Sequence, residues 1–65
     1  MNLPLLEYEM KRKGVTKREL CELLGINPAT FWRKCTGYSD FTLREIRQIV
    51  AKLQIENPCP IFFDD

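Results

Sequence analysis

The sequence predicts an all-α fold, a compact bundle of four to five short helices followed by an extended C-terminal tail. Three observations predict it. Three helix starts each pair a polar cap with apolar residues on either side, apolar residues recur at helical spacing, and turn residues separate the segments. Helices are expected over about 2–13, 17–24, 28–36 and 43–54, with residues 1–55 forming the domain and 56–65 the tail.

The first helix places Leu3, Leu6 and Met10 at i, i+3 and i+7, with Gly14 as its stop. Its last turn carries Lys11, Arg12 and Lys13, which suit the negative end of the helix dipole. Either they serve that purpose alone, or they join Lys17 and Arg18 in one phosphate-facing patch.

Thr16 is followed three positions later by Glu19, the spacing of a capping box, and Val15 before the cap can pack on Leu20. Leu20, Leu23 and Leu24 continue the second helix until Gly25, which takes the left-handed conformation without steric penalty. A new start follows at once. Asn27 is a good cap, Pro28 occupies the first helical position where its missing N–H costs nothing, and Ile26 and Phe31 flank the cap. Helices separated by Gly25-Ile26-Asn27 cannot be collinear, and a short glycine-containing turn of this kind builds the DNA-binding helix-turn-helix.

Gly37 stops the third helix, and Gly37-Tyr38-Ser39-Asp40 forms a loop. The fourth start repeats the pattern with Phe41, the cap Thr42, Glu45 and Ile46. Its stripe of Leu43, Ile46, Ile49, Val50 and Leu53 is expected to be buried, with Arg44, Arg47 and Lys52 outside. Beyond it, Pro58 and Pro60 lack donors and fix φ, so no regular fifth helix is expected to include them. Ile61, Phe62 and Phe63 are too apolar for a free end and must bury on their own domain or on a second subunit.

The run containing Thr16, Leu20, Leu24, Gly25, Ile26, Asn27, Phe31 and Gly37, continued by Thr42-Leu43, Ile46 and Leu53, resembles the lambda-repressor-like, Cro/XRE-type helix-turn-helix family. The stretches FWRKCTG, FTLREI and IFF look most like small phage or prophage Cro-like proteins. The chain departs from the family at Cys21, where alanine is usual, and at Trp32, where a small polar residue is usual. The resemblance implies a lambda-repressor-like bundle and transcriptional regulation by occluding a promoter. It also implies DNA contacts at the start of the second helix, the first turns of the third, and the loop after it.

Sixty-five residues make one small domain with no room for an enzyme cleft, and an apolar content of 45% with 29% charged residues is ordinary for a globular chain. No apolar run approaches the roughly 18 residues of a membrane span, and no basic-then-apolar leader is present, so a cytoplasmic protein is expected. Met1 and the acidic end favour a complete chain over a piece of a larger repressor or recombinase. Net charge is only +1, yet residues 11–37 hold seven basic residues against Glu19 and Glu22, which polarises the molecule.

Three widely spaced cysteines without a histidine do not make a zinc site, and the chain offers no paired carboxylates or glycine-rich phosphate loop. No enzyme activity, cofactor, metal or small-molecule ligand is therefore expected. Cys21 and Cys35 should pack inward as small hydrophobes, while Cys59, between two prolines, should be at least half exposed.

At 100° per residue, Phe31 and Cys35 of the third helix point inward together, leaving Ala29 and Arg33 opposite them. In a helix-turn-helix this face enters the major groove, where Arg33 can bond bidentately to guanine. Asn27, Pro28, Ala29 and Thr30 come closest to the bases, and Ala29 and the Thr30 methyl can touch a thymine methyl. Trp32 either meets the sugar-phosphate edge or packs on a neighbouring helix. Thr16 and Lys17, then Arg18, Lys34, Thr36, Tyr38 and Ser39, are the expected phosphate contacts. Because one module buries only about 600–1,000 Å² on DNA, a homodimer on a pseudo-palindromic operator is expected. The alternative keeps the fold as a protein-binding module, an antitoxin or an inhibitor of a host protein.

Overall fold

Side chains close the N-termini of the first four helices and so decide where each begins. In the computed structural model, which describes residues 1–63, α1 is Leu3–Lys13, α2 Lys17–Leu24, α3 Pro28–Cys35, α4 Leu43–Leu53 and α5 Cys59–Phe62; no strand occurs among the described residues. Asn2 Oδ1 accepts from the Leu5 amide at 3.1 Å, which makes residue 2 the cap rather than the first helical residue. Thr16 with Glu19 and Thr42 with Glu45 both form complete capping boxes. The Asn27 carboxamide accepts from the Thr30 amide at 2.7 Å.

The helix ends are also local. Gly25 sits at φ 70°, and its amide closes back on carbonyls of α2; a Cβ there would touch nothing within 4 Å, so glycine is needed for its conformation and not for space. Helix α3 stops at Cys35, one residue early, where the Thr36 hydroxyl donates to the Trp32 carbonyl at 3.1 Å. The end of α4 falls at Leu53 because Gln54, a non-glycine residue, adopts φ 54°. Its side-chain carbonyl accepts from Lys13 Nζ at 2.8 Å, and the chain returns inward through buried Ile55.

Residues 56–63 overturn the expectation of an extended tail. Pro58 caps α5 and Pro60 lies in its first turn, where backbone donors have no intrahelical partner, so the missing N–H groups remove nothing. The Ile61 and Phe62 amides bond to the Pro58 carbonyl at 3.1 and 3.0 Å. A single turn is enough to aim Ile61 into the core while its carbonyl accepts from the Asn2 amide at 2.7 Å. Asp64 and Asp65 of the expected tail lie outside the described residues.

Helix α4 packs on α1 and α2, α3 on α2, and α5 on α1. They enclose Leu6, Leu20, Ile49, Leu53 and Ile61, all fully buried. Beside this centre the rings of Phe31, Phe41 and Phe62 meet edge to face, with centroids 5.8 and 6.0 Å apart. The expected stripe of α4 is narrower than drawn: Leu43 is 59% exposed and Val50 only half-buried. Leu43 lies in the first turn, well round the helix from the Ile49–Leu53 line, and helical spacing alone does not show where the covering elements stop.

Lys34 of α3 reaches Glu45 of α4 at 2.8 Å, and both side chains are nearly buried. Burial pushes the Glu45 carboxyl up, but hydrogen bonds from Lys34 and the Thr42 amide, with the lysine charge, outweigh it and leave the group below its ordinary value. Because the folded carboxyl then titrates below its unfolded counterpart, its contribution is complete above the unfolded pKa and is lost as pH falls through the folded one. Glu45→Gln keeps a side-chain cap acceptor and removes the charge. Urea titrations should show it less stable than the parent by roughly 1.5–3 kcal/mol at neutral pH, with the difference closing in acid.

Candidate nucleic-acid interface

The α2–α3 unit is held from below. Phe31 and Cys35 are buried, and burial pushes the Cys35 thiol up to about 11 and raises that of Cys21, so both remain protonated packing groups. With that face of α3 fixed inward, Ala29 and Arg33 stand exposed on the other side. Among the described residues the Arg33 and Arg18 side chains make no ion pair or hydrogen bond. Of the C-terminal aromatics, Phe62 packs against Phe41, and Phe63 borders a depression with Met1, Lys34 and Gly37 that includes neither Ala29 nor Arg33.

Around α3 the expected contacts separate into available and engaged groups. Pro28 is exposed and Thr30 half-buried; Asn27 is exposed with its carbonyl oxygen committed to the cap and its amide donors unused among the described residues. Tyr38 and Ser39 are exposed in the loop after α3, their hydroxyls without partners among the described residues. Thr36 is different, because its hydroxyl proton turns back to carbonyls of its own helix at 3.1 and 3.3 Å. Thr16 is likewise engaged: its hydroxyl and amide both lie 3.3 Å from a Glu19 carboxylate oxygen. That carboxylate already faces the positive end of the α2 dipole, which leaves the unpartnered amides of Lys17 and Arg18 as the donors there.

The basic side is smaller than the sequence suggests. Arg12 pairs with Glu9 at 2.6 Å, Lys13 bonds to Gln54, and Lys34 is tied to Glu45, all within the domain. Lys11 alone of the first-helix trio borders the same depression as Lys17. The cations of residues 11–37 left without a close tie among the described residues are therefore Lys11, Lys17, Arg18 and Arg33. Lys17 has a weak tie of its own, 3.3 Å from the Glu7 carboxylate with both groups half exposed, an arrangement of little energetic consequence.

Trp32 stands at the edge of the α2–α3 unit. Its indole is 55% exposed, outside the core, with Lys17 Nζ 5.8 Å from the ring centroid and its N–H without an acceptor among the described residues. The ring forms one wall of a feature the sequence did not show, a mainly apolar cleft of about 440 Å³ between α2 and α3. Cys21 and Phe31 form its floor, Ile26 and Pro28 line it with the indole, and Lys17, Arg18 and Glu22 stand at its rim. Periodicity places these residues on two helices but cannot give the gap between the helices.

No helix among the described residues is long and apolar enough to cross a membrane. Compared with known proteins, the chain matches no family model, no curated protein and no solved structure.

Proposed function

We propose that the chain is a sequence-specific double-stranded DNA-binding transcriptional regulator that reads the major groove with α3. The observation carrying this reading is the outer face of α3: Ala29 and Arg33 stand exposed, Arg33 has no partner among the described residues, and Lys17 and Arg18 flank the face. Arg33 is the base-reading residue, through guanine O6 and N7, and Asn27, Pro28 and Ala29 approach the adjoining base edges. Lys17, Arg18, Tyr38 and Ser39 hold phosphates and set the register. Two copies on a pseudo-palindromic operator supply the interface area that one small module lacks. The resemblance to Cro-like proteins adds a phage or prophage switch in the bacterial cytoplasm or nucleoid as the setting.

Selecting duplexes from a random pool tests this directly. A two-fold motif should emerge, and the logarithm of the binding constant should fall linearly with the logarithm of salt concentration, with a slope of about −0.9 per phosphate contacted. Arg33→Ala should reduce discrimination at one base pair per half-site by about 5- to 150-fold, corresponding to about 1–3 kcal/mol, without changing the melting temperature. Unchanged discrimination would remove Arg33 from the reading role. The competing reading, a protein-binding module, is favoured by the apolar cleft and the exposed Trp32, since aromatic anchors in pockets dominate protein interfaces. It would show itself by an absence of salt-dependent duplex binding.

A further inference from the structure

We infer that the α2–α3 cleft is a receptor for the 5-methyl group of a thymine, with Trp32 as the specificity-determining wall, an inference that rests on the DNA-binding reading above. The cleft and the α3 reading face belong to one surface. Pro28 and Trp32, which line the cleft, immediately precede Ala29 and Arg33 in the chain and lie about 100° round the helix from them. A ligand lying along α3 therefore meets both.

The chemistry of the cleft then narrows what enters it. Its interior is formed by Cys21, Ile26, Pro28, Phe31 and the indole, none of which offers a charged group, while Lys17 and Arg18 stand at the mouth. An occupant that fits is apolar at its tip and anionic close behind. Base edges in the major groove present donors and acceptors throughout, with one apolar exception, the thymine methyl, and each base is flanked by phosphates. Glu22 is the one carboxylate on the rim, outnumbered by the two cations. The indole N–H, with no acceptor among the described residues, is left to donate to a phosphate or to thymine O4 beside the methyl.

This contact differs in kind from the bidentate contact of Arg33. It distinguishes thymine from uracil, which differ by the methyl alone. Burying one such group is worth about 0.8 kcal/mol, or about a fourfold change in affinity.

The experiment starts from a duplex recovered by selection and replaces its thymines by deoxyuridine one at a time, with binding read by fluorescence anisotropy of a labelled duplex. For the parent protein, one position per half-site should lose about fourfold in affinity, and W32A should bind the two versions of that position equally. Because Trp32 is the chain's single tryptophan and is exposed, W32A should keep its helical circular dichroism. If it does not, the parent protein alone decides the matter: its tryptophan emission should move to the blue on the thymine duplex and move less on the deoxyuridine one. Duplex binding with no sensitive thymine, or a fourfold loss that persists in W32A, would overturn the inference and leave the DNA-binding reading standing. Failure to recover any duplex would overturn both. Capture of an aliphatic peptide side chain in the cleft, with no duplex bound, would assign the cleft to a protein partner instead.

Discussion

Replacing Phe31 by alanine is expected to leave most of the chain unfolded at 25 °C. Phe31 is 3% exposed, and its ring meets Phe41 edge to face at 5.8 Å, so the substitution removes both burial and a directional aromatic contact. Truncations of this kind cost about 3–5 kcal/mol, and a single core in a chain this short supplies rarely more than about 3–5 kcal/mol in total. Far-UV circular dichroism of Phe31→Ala should show most of the helical signal gone without denaturant and restored in part by stabilising salts or osmolytes. A cooperative urea transition displaced by less than about 1 kcal/mol would mean that α3 is not anchored through this ring. The orientation of Ala29 and Arg33 would then rest on Cys35 and on the bond from Lys34 to Glu45, the other ties that hold α3 by its inner side. Arg33→Ala, by contrast, removes a side chain with no partner among the described residues and should leave the transition where it is.

What the sequence made legible follows from the range of the forces involved. Thr16 with Glu19, Asn27 with Thr30, and Thr42 with Glu45 close their bonds across three residues, so the chemistry that starts α2, α3 and α4 is fully contained in adjacent letters. The inward pair Phe31 and Cys35 was legible for the same reason, because helical periodicity is a local property. Lys34 was not: its partner Glu45 is eleven residues away, and only the fold brings the two together and turns an expected phosphate contact into a part-buried ion pair. Lys13 points the same lesson, since it ends on Gln54, 41 residues away, whereas Arg12 pairs with Glu9 only three residues back and that spacing lay open in the sequence. Gln54 itself carried no signal, being neither glycine nor asparagine, yet it takes the left-handed conformation in which its amide and that of Ile55 close back on the Val50 carbonyl. The misreading of α5 has a different source. Prolines at residues 58 and 60 forbid a helix interior but suit a first turn, and a helix one turn long is nearly all first turn.

The same distinction separates parts of the candidate interface. Side chains whose hydrogen-bonding groups remain outside the domain's own bonds, those of Arg18, Arg33, Tyr38 and Ser39, are available without breaking anything in the fold. Thr16 would have to give up the bond that caps the start of α2, worth about 1 kcal/mol, and Thr36 the bonds its hydroxyl makes to the last carbonyls of α3. A ligand that gains no more than about 1 kcal/mol from such a hydroxyl has no reason to recruit it. The surface that can bind without destabilising the protein is therefore narrower than the one drawn from sequence, and it centres on Arg33 and the Trp32 cleft.

Ile61→Ala should cost about 2–5 kcal/mol, nearly as much as the loss of Phe31, although it lies four residues from the end of the chain. Ile61 is 1% exposed, and its backbone carbonyl accepts from the Asn2 amide at 2.7 Å, which ties α5 to the start of α1. Truncating the side chain leaves a cavity under that tie, whereas Phe63→Ala, at a site 56% exposed, should shift the urea midpoint by no more than about 0.5 kcal/mol. Repeating the titrations over a hundredfold range of protein concentration separates the two destinations the sequence left open for these residues. If Ile61 fills the core of its own domain, the loss caused by Ile61→Ala is the same at every concentration, since no second copy takes part in placing it. A loss that grew on dilution would mean that α5 is exchanged between two chains, because stability borrowed from a partner follows mass action. The bond from Asn2 to Ile61 within a single chain predicts the first result.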